Sequence, residues 1–319
     1  MKHGSGMVSY IVKRLLSTIP VMLVVAVTVF LLVRIGNSDP AAVIAGDYAG
    51  QERVEQIRTQ LGLDEPIVRQ FIIWISGVLR GDLGTSIFSG LPVSRLISQR
   101  VIPTFTLAVL TMGFAILFAV PLGSIAGWKA GSWIDKLVMI VSVFAFSFPV
   151  FLIGYILVYV FSLNMDLLPV QGYKSISEGL GPFLSHIALP VMALGSVYVA
   201  LIARMTRASM IQVLREDYIR TARAKGLASG KVVIIHALKN AAIPIATVIG
   251  VGFAGLIGGV VVTETVFNIP GLGRLTATAI VNKDYPVIQG VVLLFAATYV
   301  LVNLVIDISY TFLDPRIKY

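Results

Sequence analysis

The sequence has no cysteine and only three histidines among its 319 residues. Without cysteine the chain can form no disulfide and has no thiolate to act as a nucleophile or metal ligand. The three histidines are far apart, and none belongs to the His-Glu-x-x-His pattern of a catalytic zinc site. The sequence therefore predicts neither cysteine chemistry nor a metal centre.

Recognisable enzyme motifs are also missing. No serine lies in the pattern of a nucleophile elbow. A phosphate-binding loop ends in Gly-Lys followed by Ser or Thr, but Gly230 and Lys231 are followed by Val232, and Lys225 stands where the first glycine is required. No catalytic residue is therefore predicted, and no ATP binding through this motif. The internal or inverted repeats of many secondary transporters are absent from the sequence as well.

Charged residues are scarce, at 13%, whereas apolar residues make up 57% of the sequence. A membrane-spanning helix needs about 20 mostly apolar residues, and stretches of this kind occur six times. The predicted fold class is all-α: a polytopic integral membrane protein with six transmembrane helices. The expected spans are Leu15–Ile35, Thr104–Gly127, Leu137–Phe161, Ile187–Ala203, Ile243–Val266 and Val287–Leu313.

The net charge of +9 indicates the orientation of these spans. Basic residues flank the apolar stretches and form no stripe with interleaved aromatics, so nucleic-acid binding is not expected. They cluster before the first span, in the second-to-third and fourth-to-fifth connections, and after the last span, whereas residues 37–102 hold six arginines against seven acidic residues. By the positive-inside rule, both termini are predicted to be cytoplasmic.

The chain is accordingly divided into a cytoplasmic N-terminus (1–14), a first span (15–35), an extracytoplasmic insertion (36–103), a transmembrane core (104–313) with a cytoplasmic loop at 204–242, and a cytoplasmic C-terminus (314–319). In the insertion, the spacing of Val54, Ile57 and Leu61 predicts an amphipathic helix. The apolar segment Gln70–Leu79 is too short to span a membrane, so an interfacial or core helix is expected there, with Trp74 suited to the headgroup level.

Between the fourth and fifth spans lies a polar segment, Glu216–Pro244. Its residues Thr221–Lys225 favour a helix and are followed by Gly226, a residue typical of helix ends. The pattern predicts a short helix that presents a surface to a partner. The alternative is a solvated basic loop whose charge serves only to orient the membrane spans.

Ionisable residues within membrane spans are costly and are often functional. Glu264 and Asp307 are therefore candidates for the translocation pathway, and Arg34 ends the first span. For each, a structural role through snorkelling or interhelical hydrogen bonding is the preferred alternative. In the fifth span, Gly255 and Gly259 form a Gly-x-x-x-Gly pair that permits close approach of another helix, either a partner subunit or a neighbour in this chain.

Several segments resemble one family, the ABC-importer permeases of the dipeptide, oligopeptide and nickel branch, and in particular its first permease subunit. The resemblance extends over nearly the whole chain. The segments that carry it are Ser38–Pro40, Gln60–Leu63, Arg80–Gly84, Tyr218–Leu227, His236–Pro244, Glu264–Gly273 and Asp314–Arg316.

This resemblance implies a permease of a bacterial cytoplasmic membrane that imports di- or oligopeptides together with a second, homologous permease. Two partner ATPases would bind ATP and Mg²⁺, an extracytoplasmic solute-binding protein would deliver the cargo, and this chain would hold no cofactor of its own. In the family, the polar segment forms a coupling helix that binds in a groove of the ATPase. Matching the motif residue by residue assigns this role to Arg220, Thr221, Ala222, Lys225 and Gly226.

The polar segment departs from the general permease pattern in its leading residues. Where the general permease pattern has Glu-Ala-Ala, this chain has Arg220, Thr221 and Ala222, so the leading acid is absent.

The cargo could instead be nickel, glutathione, an opine or another small solute within the same architecture. An ATP-independent carrier would favour paired intramembrane charges or inverted repeats, and an intramembrane enzyme would require a catalytic set, so both are weaker interpretations.

Overall fold

The computed structural model describes residues 3–35, 40–45, 50–60 and 64–313, and the regular secondary structure in this part of the chain is helical apart from one isolated bridge between Thr85 and Pro92. The all-α prediction is confirmed. The C-terminus 314–319, the side chain of Arg34 and the environment of Gly259 lie outside the described residues. The helices are α1 (His3–Ile35), α2 (Pro40–Ala45), α3 (Gln51–Gln60), α4 (Ile67–Leu79), α5 (Val93–Trp128), α6 (Trp133–Ser147), α7 (Val150–Leu157), α8 (Leu180–Val213), α9 (Asp217–Ala224), α10 (Ser229–Lys231), α11 (Lys239–Val266), α12 (Leu272–Val281) and α13 (Tyr285–Leu313).

Among the described residues, five helices are long and apolar enough to cross a membrane, and each overlaps one of the six predicted spans. The third predicted span, Leu137–Phe161, is not one continuous helix. It consists of α6 and of α7 with its π-helical extension Val158–Asn164, and the two parts are bent by 104°. The count is six if this bent pair is a single span.

The break in the third span follows from Pro149. The residue before a proline is disfavoured in the helical conformation, and Phe148 is accordingly extended, with φ −85° and ψ 136°. Pro149 then precedes the first residue of α7. Prolines are tolerated in several other spans of this chain, so the bend depends on local packing and could not be predicted from the proline alone.

The fourth span is longer than predicted. Helix α8 does not end at Ala203 but continues for ten residues to Val213. Six of these ten residues are Arg, Met, Ala or Gln, which favour helices. Arg204 and Arg207, which the sequence placed in the 204–242 loop, are therefore part of a rigid helix that leads directly towards α9.

In the region of the predicted insertion, both expected helices are present as α3 and α4. Phe71 and Trp74 of α4 pack on Phe30 of α1, with ring centroids 5.2 Å and 5.6 Å from that of Phe30. Such aromatic pairs stabilise a contact beyond the apolar area that they bury. Of the two alternatives for α4, this contact favours a helix packed on the protein.

By contact density the chain forms two units, Met1–Ile102 with Gly271–Leu301, and Pro103–Pro270 with Val302–Tyr319. In the first unit, the loop before α5 is held by Asp284, whose side chain is only 3% exposed. The Asp284 carboxylate accepts hydrogen bonds from the Ser86 hydroxyl and, at 3.1 Å, from the Ile87 N–H. Buried polar groups stabilise a fold when they are paired in this way.

Replacing Asp284 by alanine should loosen this loop. The change leaves the buried Ser86 hydroxyl and the Ile87 N–H without their acceptor, which costs about 1–3 kcal/mol. Hydrogen exchange at the amides of residues 86–89 is expected to accelerate, whereas Asp64→Ala, which removes an exposed carboxylate, should leave it unchanged. Equal protection of the loop in both variants would show that Asp284 does not hold it.

In the second unit, α5 packs closely against α8. A Cβ atom at Gly123 would lie 2.6 Å from the Thr206 Cβ, and one at Gly127 would lie 2.6 Å from the Met210 Cβ. A Gly-x-x-x-Gly pair was noted from the sequence in the fifth span, but this one in the second was missed. Of the fifth-span glycines, Gly250 lies against Ile306 of the same chain, so internal packing explains that position.

Candidate coupling site

The polar segment contains the predicted short helix, α9, and ends it as expected. Gly226 has φ +80°, a left-handed conformation that glycine adopts without strain. Its N–H donates to the Arg223 carbonyl at 2.9 Å, and the Leu227 N–H donates to the Ala222 carbonyl at 3.4 Å. These two bonds form a Schellman motif, which satisfies the last carbonyls of the helix and turns the chain sharply.

One face of α9 is anchored to the rest of the second unit. Ile219 is fully buried and Ala222 is 8% exposed, and their i, i+3 spacing places them on the same side of the helix. They belong to one apolar cluster with residues of α8, of the π-helical segment Val232–Leu238 and of α11. The cluster contains Met210, Ile219, Ala222, Val232, Val233, Ala237, Ala241 and Ile245.

The opposite face of α9 is exposed and mainly basic. It carries the side chains of Tyr218, Arg220, Thr221 and Arg223, followed by Lys225. Arg220 reaches Asp217 at 3.4 Å, but both side chains are so exposed that this pair contributes little to stability. Partial burial, with the Glu216 carboxylate nearby, raises the pKa of the Tyr218 phenol above its usual value.

Five residues were assigned to this site from the sequence, and the structure separates them by face. Arg220, Thr221, Lys225 and Gly226 are exposed, whereas Ala222 points into the apolar cluster. Ala222 therefore fixes the helix in place instead of offering a contact surface. Ile219, the main anchor, was missed from the sequence, although the apolar spacing of Ile219 and Ala222 on a polar helix was a usable signal.

Close to the end of α8, an ion pair ties this helix to the start of α6. Asp135 is 3% exposed and accepts hydrogen bonds from the Arg207 Nε and, at 2.8 Å, from the Arg207 Nη2. The N–H of Gly131 donates to the same carboxylate at 2.8 Å. A bidentate pair of this kind is geometrically specific. It links the helix that leads to α9 with the bent third span.

The two intramembrane acids lie in different helices. Glu264, near the end of α11, is fully buried, and the Thr104 hydroxyl donates a hydrogen bond of 2.6 Å to its carboxylate. Asp307 is half-buried in α13. For Glu264, complete burial beside a hydroxyl donor favours the structural role over a role in the pathway. Among the described residues, no group of three potential metal ligands comes together.

Residues 119–319 match the family described as the inner membrane component of binding-protein-dependent transport systems, and residues 7–108 match its N-terminal region. The chain belongs to this family. The resemblance drawn from the motifs is confirmed, and the protein is a multi-pass membrane permease of the ABC importer type.

Similar proteins align with the permease over almost its full length. A probable peptide ABC transporter permease, y4tP of Sinorhizobium fredii, is 52% identical over 310 residues, which cover 97% of this chain and 99% of the relative. The glutathione transport system permease GsiC of Escherichia coli K12 is 44% identical over 313 residues, which cover 98% of this chain and all of the relative. These matches extend through the polar segment and the predicted insertion.

In this permease, Glu264→Gln should be tolerated much better than Glu264→Ala. The glutamine keeps an oxygen that can accept the Thr104 hydrogen bond, whereas alanine removes this acceptor and opens a cavity. We expect the alanine variant to lose about 2–4 kcal/mol of stability, measured by thermal unfolding of the detergent-solubilised chain. If Glu264→Gln abolished transport at unchanged stability, the carboxylate would act in the pathway.

Proposed function

We propose that this permease forms the translocation pathway of a di- or oligopeptide importer together with a second, homologous permease. Two ATPases bind and hydrolyse ATP with Mg²⁺ on the cytoplasmic side, and a solute-binding protein delivers the cargo from outside. Both termini and the polar segment are cytoplasmic in this arrangement. The names of the similar permeases support the cargo class, and the distribution of basic residues supports the orientation.

The single observation that carries the coupling role is the two-faced construction of α9. Ile219 and Ala222 fix the helix to α8 and α11, while its basic face is free to contact a partner. A closing movement of the ATPases would therefore displace α9 as a rigid body and act on the two spans that hold it. Such gating requires that α9 makes different contacts in the two states of the transporter.

Cross-linking can test this role, because the chain has no natural cysteine. Thr221→Cys on the exposed face of α9 should cross-link to the ATPase, with a yield that changes when ATP is added. Ser177→Cys, equally exposed but in the α7–α8 connection, is the matched control and should not react. If both positions or neither cross-link to the ATPase, α9 is not its contact.

Glutathione is the second candidate cargo, since the GsiC permeases are similar over the whole chain. Uptake by the reconstituted complex, with its own binding protein, separates the two. Labelled dipeptides and tripeptides should accumulate when ATP is present, and unlabelled glutathione should not compete. Competition by glutathione at equal concentration would identify glutathione as a cargo and leave the proposed architecture unchanged. Uptake without the ATPases would refute the proposal of an ATP-driven importer.

A further inference from the structure

An apolar groove runs between α5, α6, α7 and α8 in the second unit. Its volume is about 440 Å³, and its walls are formed by aliphatic and aromatic side chains such as Phe118, Val141 and Val199. Phe118 and Val141 are 46% and 57% exposed, so the groove is open to the surroundings of the helices. The helices around it are membrane spans, which means that an apolar molecule can enter from the bilayer.

The groove offers almost no partner for a polar ligand. Its only side-chain polar groups are the hydroxyls of Ser142 and Ser196, and that of Ser196 already donates to the Ala193 carbonyl at 2.8 Å. A peptide in the groove would leave its amide groups unpaired, at a cost of several kcal/mol each in hydrocarbon. An acyl chain has no such groups. The lining therefore fits a lipid chain better than the proposed cargo.

A cation lies at the end of the groove nearest the polar segment. Arg204 follows Ser196 and Ala200 at intervals of four residues, and both of these line the groove. Helical side chains point towards the helix N-terminus, which directs Arg204 back along this row. Its guanidinium accordingly lies 4.7 Å from the centre of the Phe146 ring, next to the lining residue Ala145.

The charge of Arg204 is not neutralised within the described part of the chain. No carboxylate described there lies within 4.0 Å of it, and Asp135, at the start of α6, is engaged by Arg207. A basic group beside an apolar groove between membrane helices matches the phosphate of an anionic lipid.

We propose that this groove binds an anionic phospholipid, with one acyl chain between α5, α6 and α8 and the phosphate at Arg204. The site is independent of the proposed cargo. The attraction between one basic side chain and the net negative charge of an anionic lipid is expected to make binding of that lipid about five-fold tighter than binding of a zwitterionic lipid. A helix of the second permease is the competing occupant of the same groove.

A fluorescent label attached through Ala145→Cys, in a chain that has no natural cysteine, tests the proposal in the assembled transporter with cysteine-free partners. In nanodiscs, phosphatidylglycerol with brominated acyl chains should quench the label at about five-fold lower mole fraction than brominated phosphatidylcholine. Arg204→Gln should abolish this preference, whereas Arg204→Lys and the remote control Arg69→Gln should retain it. Free inorganic phosphate should leave the quenching unchanged.

Other outcomes of this experiment would contradict the binding of an anionic phospholipid. Equal quenching by the two lipids in the labelled protein with Arg204 intact, or an unchanged preference in Arg204→Gln, would refute binding of the phosphate at Arg204. Absence of quenching by either lipid would identify the groove as a subunit interface if Ala145→Cys, carrying a photoreactive group in place of the fluorophore, cross-links to the second permease. Displacement of the lipid by inorganic phosphate would assign Arg204 to a soluble anion instead.

Discussion

Replacing Gly226 by proline is expected to abolish transport while the permease remains inserted in the membrane at normal abundance. The left-handed φ of +80° is incompatible with the proline ring, which fixes φ near −65°. Proline also removes the N–H that donates to the Arg223 carbonyl. The end of α9 would lose its Schellman motif, and the basic face would no longer be held in one orientation for the proposed contact with the ATPase.

The control for this variant is Gly230→Pro in the same polar segment. Gly230 lies in the first turn of α10, where proline is tolerated, and a side chain there meets no atom within 4 Å. ATP-driven uptake and ATPase stimulation should persist in Gly230→Pro and be lost in Gly226→Pro. Normal uptake by Gly226→Pro, at normal abundance, would show that the conformation of this turn is not needed for coupling.

Removing the Asp135 carboxylate is expected to cause a large loss of stability. The side chains of Asp135 and Arg207 are 4% and 28% exposed, so Asp135→Ala leaves the Arg207 charge and the Gly131 N–H without their partner in a mostly buried site. Breaking a buried pair on one side typically costs 3–5 kcal/mol, and we expect about 3 kcal/mol here because Arg207 is partly hydrated. Thermal unfolding in detergent measures the loss.

A double-mutant cycle separates the pair from other effects of the substitution. Asp135→Ala combined with Arg207→Ala should be no less stable than Asp135→Ala alone, because the uncompensated charge is removed. Lys174→Ala, which breaks the exposed pair with Glu178, is the control and should change stability by less than about 1 kcal/mol. Additive effects of the two substitutions at Asp135 and Arg207 would mean that the two side chains do not stabilise one another.

The pair also bears on the proposed mechanism. Arg207 lies ten residues before Asp217, the start of α9, on the same helix that supplies Met210 to the α9 cluster. A displacement of α9 would therefore act on α8 and, through Asp135, on the start of α6. An Asp135→Ala variant that folds at reduced temperature should hydrolyse ATP with weaker coupling to transport, while the isolated ATPases would be unaffected.

Much of the architecture could be predicted from the sequence, because its signals are local. Hydrophobic stretches of about 20 residues identify spans regardless of how they pack, and five of the six agree with long apolar helices in the structure. The short helix before Gly226 was predicted from helix propensity and a glycine stop, both of which act within a few residues. The family was apparent from motifs such as Arg80–Gly84 and Tyr218–Leu227, and the comparisons confirm it.

Only the tertiary structure decided which residues face one another. The partners Asp135 and Arg207, Thr104 and Glu264, and Ser86 and Asp284 are 72 to 198 residues apart in the chain, and no local pattern relates them. The inward orientation of Ala222, the break at Pro149 and the continuation of α8 through Arg204 likewise depend on packing between helices. Composition and spacing determine where a membrane helix forms, whereas burial and long-range contacts determine which side of it can bind a partner.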